Sequence, residues 1–348
     1  MSNINFPKNK CSISDDWNYK GMQVVYMEND FIRVGILAGR GSDIFEFTYK
    51  PRAVDFMCRL SKEIENPNLK FSQLRDTGNQ LEDYYYGGWQ EALPNSKPFH
   101  YRGASLGQHG EVSLIPWKHS IIKNDPDCVS LRLSVRPLRV PVYLEKTLTL
   151  THDSAKLIVE EKLINESETE LDLMWGHHIA FGLPFLEKGA RLITNASKCS
   201  AEPLMPNPRI FEPSVEFDWP LAKNQEGEDL EADIIPKKSS APYSELAYLS
   251  DFPKDAFYAL WNEDEKLGFS VHWDAQVFKS LWFWQERYAS QNAPWWGSAY
   301  AVGLEPWTAK WSDDPEASIR NGDWLKLKPH EICESKLEAG AIVEPYNP

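Results

Sequence analysis

A chain of 348 residues with 42% hydrophobic and 25% charged side chains has the make-up of a folded globular protein, and its formal charge of −14 opposes nucleic-acid phosphates and anionic membrane surfaces. No Lys/Arg run offsets that charge locally, so neither nucleic acid nor membrane is an expected partner. Five cysteines, Cys11, Cys58, Cys128, Cys199 and Cys333, lie far apart without CxxC spacing, which argues against a disulfide framework and against a structural zinc site.

The aromatic content is the outlier, with 14 Trp, 14 Tyr and 16 Phe, residue types that favour strands and also line sugar sites. The N-terminus Met-Ser-Asn-Ile-Asn-Phe-Pro-Lys lacks the apolar centre of a signal peptide, and a cytoplasmic location is the expectation. Length alone permits two domains, but large all-β domains reach this size, and the expectation is one domain over residues 1–348.

In chain order, short alternating segments predict strands at Met22–Tyr26, Phe31–Leu37, Asp43–Tyr49, Val129–Val135, Val142–Leu150, Lys156–Leu163, Glu170–Trp175, Ala256–Leu260 and Gly268–Trp273. Segments 143–150 and 151–160 read as a hairpin around a polar turn. No long amphipathic helix and no fixed-period repeat interrupts them, so the fold class is all-β, built from packed antiparallel sheets. Two stretches break the rhythm. Residues 61–103 are long, irregular and rich in Tyr, Asn, Pro and Gly, and read as an active-site loop region. Residues 223–244 are charged and strand-poor, and read as a surface excursion.

Four segments hold the candidate chemistry. Tyr84–Asn95 combines aromatic surface with flexible glycines and with Trp89, Gln90, Glu91 and Asn95, groups suited to a polar ligand. The run Gln108-His109-Gly110-Glu111-Val112 puts His109 and Glu111 on one face if it is extended. In a strand through residues 171–178, Leu171, Leu173, Trp175 and His177 share one face, while Asp172, Met174, Gly176 and His178 share the other. One of the two adjacent histidines therefore faces a site and the other packs or anchors. Gly303-Leu304-Glu305-Pro306-Trp307 closes an aromatic tract containing Trp282, Trp284, Trp295 and Trp296, where a partly desolvated Glu305 becomes a better base.

Taken in order, His109-Gly110-Glu111-Val112 with Pro116-Trp117, then His178-Ile179-Ala180-Phe181, then Glu305-Pro306, resemble the His…His…Glu set of the aldose 1-epimerase, or galactose mutarotase-like, superfamily. The nearest likeness within it is the uncharacterised DUF4432 branch, with its GGWQE–PN, HGE–PW, WGHH–FG and LEPW motifs, from about Gly87 onward. The resemblance implies a β-supersandwich and anomer interconversion of a small sugar without a cofactor or metal. In it His178 would be the general acid, Glu305 the base and His109 a second histidine near the ring oxygen. Trp89, Gln90, Glu91, Asn95, Glu111, Trp175, His177, Asp274 and Trp284 are the candidate substrate-binding residues, and self-association into a homodimer is left open. The sequence departs from the family where Gln108 and Gly182 replace two asparagines.

Other chemistries fit the same residue types. His109, Glu111, His177 or His178, and Glu305 offer donors for zinc or manganese in a metal-dependent sugar isomerase. A non-catalytic carbohydrate-binding protein would keep the aromatic platform alone. A polysaccharide lyase or a sugar-phosphate enzyme would need an anion clamp, for which Arg75, Arg102 and Arg287 are available.

Overall fold

The computed structural model describes residues 10–70 and 80–344. Its strands follow the period-two patterning of the sequence. In Val142–Thr151 every second residue is buried, and the same phase runs through Lys156–Asn165 on the neighbouring strand. Each fully buried Leu or Val of this kind contributes about 1.5–3 kcal/mol.

Two large sheets result. One is twelve-stranded, and its centre runs in the order Asp43–Tyr49, Trp89–Ala92, Gly176–Phe181, Tyr300–Trp307, Ser280–Arg287, Tyr243–Ser250 and Lys198–Ala201. The other is nine-stranded, and Asp255–Asn262, Leu267–Asp274, Ile332–Ile342, Lys156–Asn165 and Val142–Thr151 form its middle. One continuous apolar cluster joins them, with Phe47, Ile179, Phe181, Val302 and Leu304 from the first sheet and Leu148, Val159, Phe269 and Leu337 from the second. The class is the expected all-β supersandwich of antiparallel sheets. Among the described residues, no helix is long and apolar enough to cross a membrane.

Gly176–Phe181 and Tyr300–Trp307 are buried on both faces, because the second sheet covers one side and loops cover the other. Three sequence expectations change in detail. The strand read through residues 171–178 is split: Leu171–Leu173 pairs with Leu325–Leu327, and the chain enters the large sheet only at Gly176. The break is held by Met174 N–H donating to Pro94 O and Trp175 N–H donating to Thr308 Oγ1. The charged stretch 223–244 is not bare loop either. Asp229–Glu231 pairs with Leu221–Lys223, and Ile234–Ile235 adds an edge to the nine-stranded sheet and buries Ile235. Finally, His109 and Gly110 take φ of +57° and +72°, so the chain turns there and Glu111 does not share a face with His109.

A tight contact fixes the middle of the large sheet. Gly176 pairs with Trp307, and a Cβ at 176 would lie 2.2 Å from the Trp307 ring. That ring stacks on Trp282 at 4.3 Å and 15°. Gly176→Ala should therefore destabilise the protein by about 1–3 kcal/mol, the usual effect of overpacking a filled interior, read from urea unfolding against the parent chain.

Candidate active site

Directly paired residues of neighbouring antiparallel strands point to the same face. Register thus sets up a polar row across the large sheet on the side away from the second sheet: Gln90 pairs with His178, Glu305 with Trp282, and Trp282 with Tyr248. His178 and Glu305 meet within the row, Nε2 to Oε1 at 3.5 Å. The next paired positions along this face are Ala180 and Gly303, whose small size leaves room above the sheet. A Cβ at 303 would lie 2.4 Å from Glu305 Oε1, so glycine there makes space for the carboxyl itself.

Above this floor is a cavity of about 370 Å³, within the range of small-molecule sites. His109, His178 and Glu305 line it together with Tyr85, Trp282, Trp284, Trp295 and Trp311. His109 arrives on a strap rather than a strand, with its N–H donating to Ser96 O at 2.7 Å. Its ring centroid lies 5.5 Å from that of His178 and 5.1 Å from that of Trp307. Tyr85 meets both His178 and Trp284 edge-on, at 5.1 and 6.1 Å.

Burial dominates the electrostatics. It pushes the Glu305 carboxyl up to about 8, against the one hydrogen bond that favours the anion, from Trp307 Nε1–H to Oε2 at 3.0 Å. Burial also takes the His178 imidazole down to about 4, and lowers His109 well below the ordinary histidine value with His178 adding to the effect. Near neutral pH the pair thus holds one mobile proton, resting on the carboxyl, beside an imidazole able to receive it. The charge of the rest of the lining is one-sided. Glu82, Glu202, Glu286 and Asp313 contribute carboxylates, and among the described lining residues there is no Lys or Arg.

Of the residues singled out in the sequence, His109, His178, Glu305 and Trp284 come together here. Gln90 shares the face but does not reach the cavity, its amide N–H donating to Asp43 Oδ2 at 3.2 Å. Asn95 is buried in the strap and donates to Lys97 O and Gly107 O. Glu111, turned away at Gly110, accepts from the Arg139 backbone N–H. Asp274 ends a strand of the second sheet and accepts from the Gln276 backbone N–H. Tyr85 and Glu82 also line the cavity, from the 61–103 region read as an active-site loop though not singled out within it, while Glu202 and Glu286 come from segments with no distinctive motif.

His177, Glu91, Trp89 and Trp175 occupy the opposite face, between the sheets, as strand alternation requires. His177 Nε2 lies 3.1 Å from Glu161 Oε2, and the Trp89 indole N–H donates to Nδ1 at 3.2 Å. Since an indole can only donate, Nδ1 accepts and Nε2 carries the proton towards Glu161. Glu91 accepts from Lys146 Nζ at 3.3 Å and from the Trp175 indole, while Ser335 Oγ donates to Glu161. Burial, then Glu161, push the Glu91 carboxyl up. For Glu161 the upward push of burial is outweighed by His177, Lys146 and Ser335, which hold it low. Glu91, Glu161 and His177 bring ligand atoms within 4.8 Å of one another, a donor set a cation could use, and the Lys146 ammonium supplies positive charge at that spot. Of the metal set drawn from the sequence, His109, His178 and Glu305 share the cavity, whereas His177 lies on the opposite face and Glu111 in neither place.

Neither of the two described arginines reaches this cavity as an anion clamp. Arg102 is half-exposed and donates to Glu170 O, Arg287 lies buried between Tyr243 and Tyr300 on the other face, and Arg75 falls outside the described residues. A second cleft of about 500 Å³, lined by Trp17, Tyr19, Phe45 and Arg59 among others, contains no histidine.

The sequence profile of the DUF4432 family, described as a domain of unknown function, matches residues 19–340. No curated protein matches the chain. Among solved structures, a provisionally assigned aldose 1-epimerase from Klebsiella pneumoniae is 15% identical, with a TM-score of 0.71 over 95% of this chain and 83% of that one. A galactose mutarotase-like protein from Clostridium acetobutylicum is 15% identical, with a TM-score of 0.65 over 96% and 99%. A galactose mutarotase related enzyme from Lactobacillus acidophilus is 14% identical, with a TM-score of 0.60 over 92% and 97%. At these identities the likeness is one of fold.

The raised Glu305 carboxyl has a definite effect on stability. In the unfolded chain it ionises near the ordinary carboxyl value of 4.5, but in the native state only near 8. The native state therefore loses stability as pH rises through that window, and the loss is constant above it. Glu305→Gln cannot ionise, so its unfolding free energy should gain on the parent's between about pH 5 and pH 8 and then stay level, as measured by urea titration across that range.

Proposed function

The chain belongs to the DUF4432 family, in a galactose mutarotase-like fold, and from that membership and the cavity chemistry we propose that it interconverts the anomers of a small sugar by acid–base ring opening and closure. The observation that carries the reading is the Glu305–His178 pair, 3.5 Å apart in an aromatic-lined cavity, with a carboxyl that holds a proton and an imidazole that is unprotonated. Transfer of that one proton from Glu305 to His178 creates a base and an acid side by side without any change in total charge.

Glu305 then takes the proton of the anomeric hydroxyl while His178 delivers its proton to the ring oxygen, and the bond between C1 and the ring oxygen breaks. Rotation about C1–C2 and closure with the reverse proton movements give the other anomer and restore the starting pair. Neutral His109 offers a hydrogen bond to an oxygen near the reacting carbon, and Trp282, Trp284 and Trp311 offer flat faces to sugar C–H groups. The carboxylate-rich lining favours a sugar without an anionic group over hexose phosphates and uronates, because the described lining residues include no Lys or Arg and the nearby Lys97 ammonium is already paired with Asp313 at 2.7 Å. A cytoplasmic location and a small-molecule partner belong to the same proposal.

Equilibration of a freshly dissolved single anomer, followed by polarimetry or by NMR exchange, tests the activity. The parent chain should accelerate it for at least one uncharged aldose, more strongly than for the corresponding phosphate. Glu305→Gln and His178→Asn should each lower kcat about 10²–10⁴-fold, the range for loss of an acid or base. A chain that binds sugar unchanged in Glu305→Gln and accelerates no anomerisation is a carbohydrate-binding protein.

A further inference from the structure

Gln90 flanks His178 on the side of the row away from Glu305, and its surroundings give it a specific task. The two residues are directly paired on adjacent strands, Trp89–Ala92 and Gly176–Phe181. The Gln90 amide nitrogen donates to Asp43 Oδ2 at 3.2 Å, and the same oxygen accepts from Tyr86 OH at 3.1 Å and lies 3.7 Å from Arg40 Nη2. A carboxylate can only accept, so Asp43 fixes which end of the amide is nitrogen. The other end, Oε1, is buried and without a hydrogen-bond partner. So is His178 Nδ1, which faces its own backbone carbonyl without reaching hydrogen-bond geometry.

A buried polar atom left unpaired is destabilising, so two such atoms on one face call for a shared partner. Directly opposed residues of an antiparallel pair have Cβ atoms about 4.5–5.5 Å apart, within reach of a Gln and a His side chain. One orphan is an acceptor and the other becomes a donor in one tautomer only. We propose that Gln90 Oε1, oriented by Asp43, accepts the Nδ1 proton of His178, directly or through one ordered water, and so fixes the tautomer whose Nε2 is free to face Glu305. Gln90 and Asp43 are then positioning residues for the acid. In the resting state Nε2 presents a lone pair to the Glu305 O–H. Once it has received that proton, the imidazolium is stabilised by the polarised amide oxygen on its far side, as an aspartate steadies the histidine of a hydrolytic triad. The opposite tautomer would set the Nδ1 lone pair against the Oε1 lone pair, so the amide selects against it.

This inference rests on the acid–base reading of the cavity, but its test needs no substrate. Long-range proton–nitrogen NMR on the full chain labelled at histidine nitrogen reads which ring nitrogen of His178 is protonated, with His178→Asn giving the assignment. The expected result is protonation at Nδ1. Gln90→Met, similar in length but without an acceptor, should shift the population towards Nε2–H and lower kcat about tenfold with KM unchanged. Gln90→Glu, which keeps the acceptor, should retain Nδ1–H, and Asp43→Asn should move the tautomer in the same direction as Gln90→Met. Protonation at Nε2 in the parent chain, or an unchanged tautomer in Gln90→Met, overturns the proposal. A chain with the Nδ1–H tautomer that accelerates no anomerisation loses the proposed activity and keeps this assignment.

Discussion

A carboxyl group held in a cavity with no described cation beside it is the constraint on which the rest of the site depends. Ionising Glu305 where it stands would bury a charge stabilised by a single indole hydrogen bond, so the carboxyl keeps its proton and the neighbouring imidazole stays neutral. The surroundings serve that state. Gly303 gives the carboxyl room, Gly176 lets Trp307 lie flat over the sheet, and Trp282 stacks on Trp307 and so fixes the indole that bonds Glu305. The strap bearing His109 and the aromatic ring of Tyr85 close the sides. The rings that bury both groups disfavour either ion and also suit a sugar.

Strand alternation divides the adjacent histidines between two tasks that need opposite surroundings. His178 faces a cavity poor in hydrogen-bond partners, where an imidazole is reactive. His177 faces a dense polar network linking Glu91 of the large sheet with Glu161, Lys146 and Ser335 of the second sheet. A buried network of this kind is weak evidence for stability, since desolvation offsets most of its attraction. Its directional bonds do tie the two sheets together at the strand that carries His178, which makes a register slip there costly.

The fold was legible because alternation and turn residues repeat along most of the chain. The pairing of His109, His178 and Glu305 was legible only through their order, since nothing local in the strap at 107–110 announces that it reaches the sheet. The larger misreading concerned Trp89, Glu91, Trp175 and His177, assigned to a ligand because polar and aromatic residues clustered in sequence. The informative signal was elsewhere. Lys146 stands in phase with Val142, Leu144, Leu148 and Leu150, and Glu161 in phase with Leu157, Val159 and Leu163. Charged groups at interior positions of two apolar strands require buried polar partners: Glu91 accepts from Lys146, and His177 Nε2–H donates to Glu161. Glu202 and Glu286 reach the cavity through long-range strand pairing and local turns, which no short motif encodes.

The most direct measurement is infrared difference spectroscopy of the parent chain against Glu305→Gln across the pH range, which isolates the carboxyl of this one residue. The account predicts the carbonyl stretch of a protonated acid at neutral pH, giving way to carboxylate with a midpoint near 8. A Glu305 that is already carboxylate at about pH 5 would contradict it, because the pair would then hold no proton to pass between base and acid.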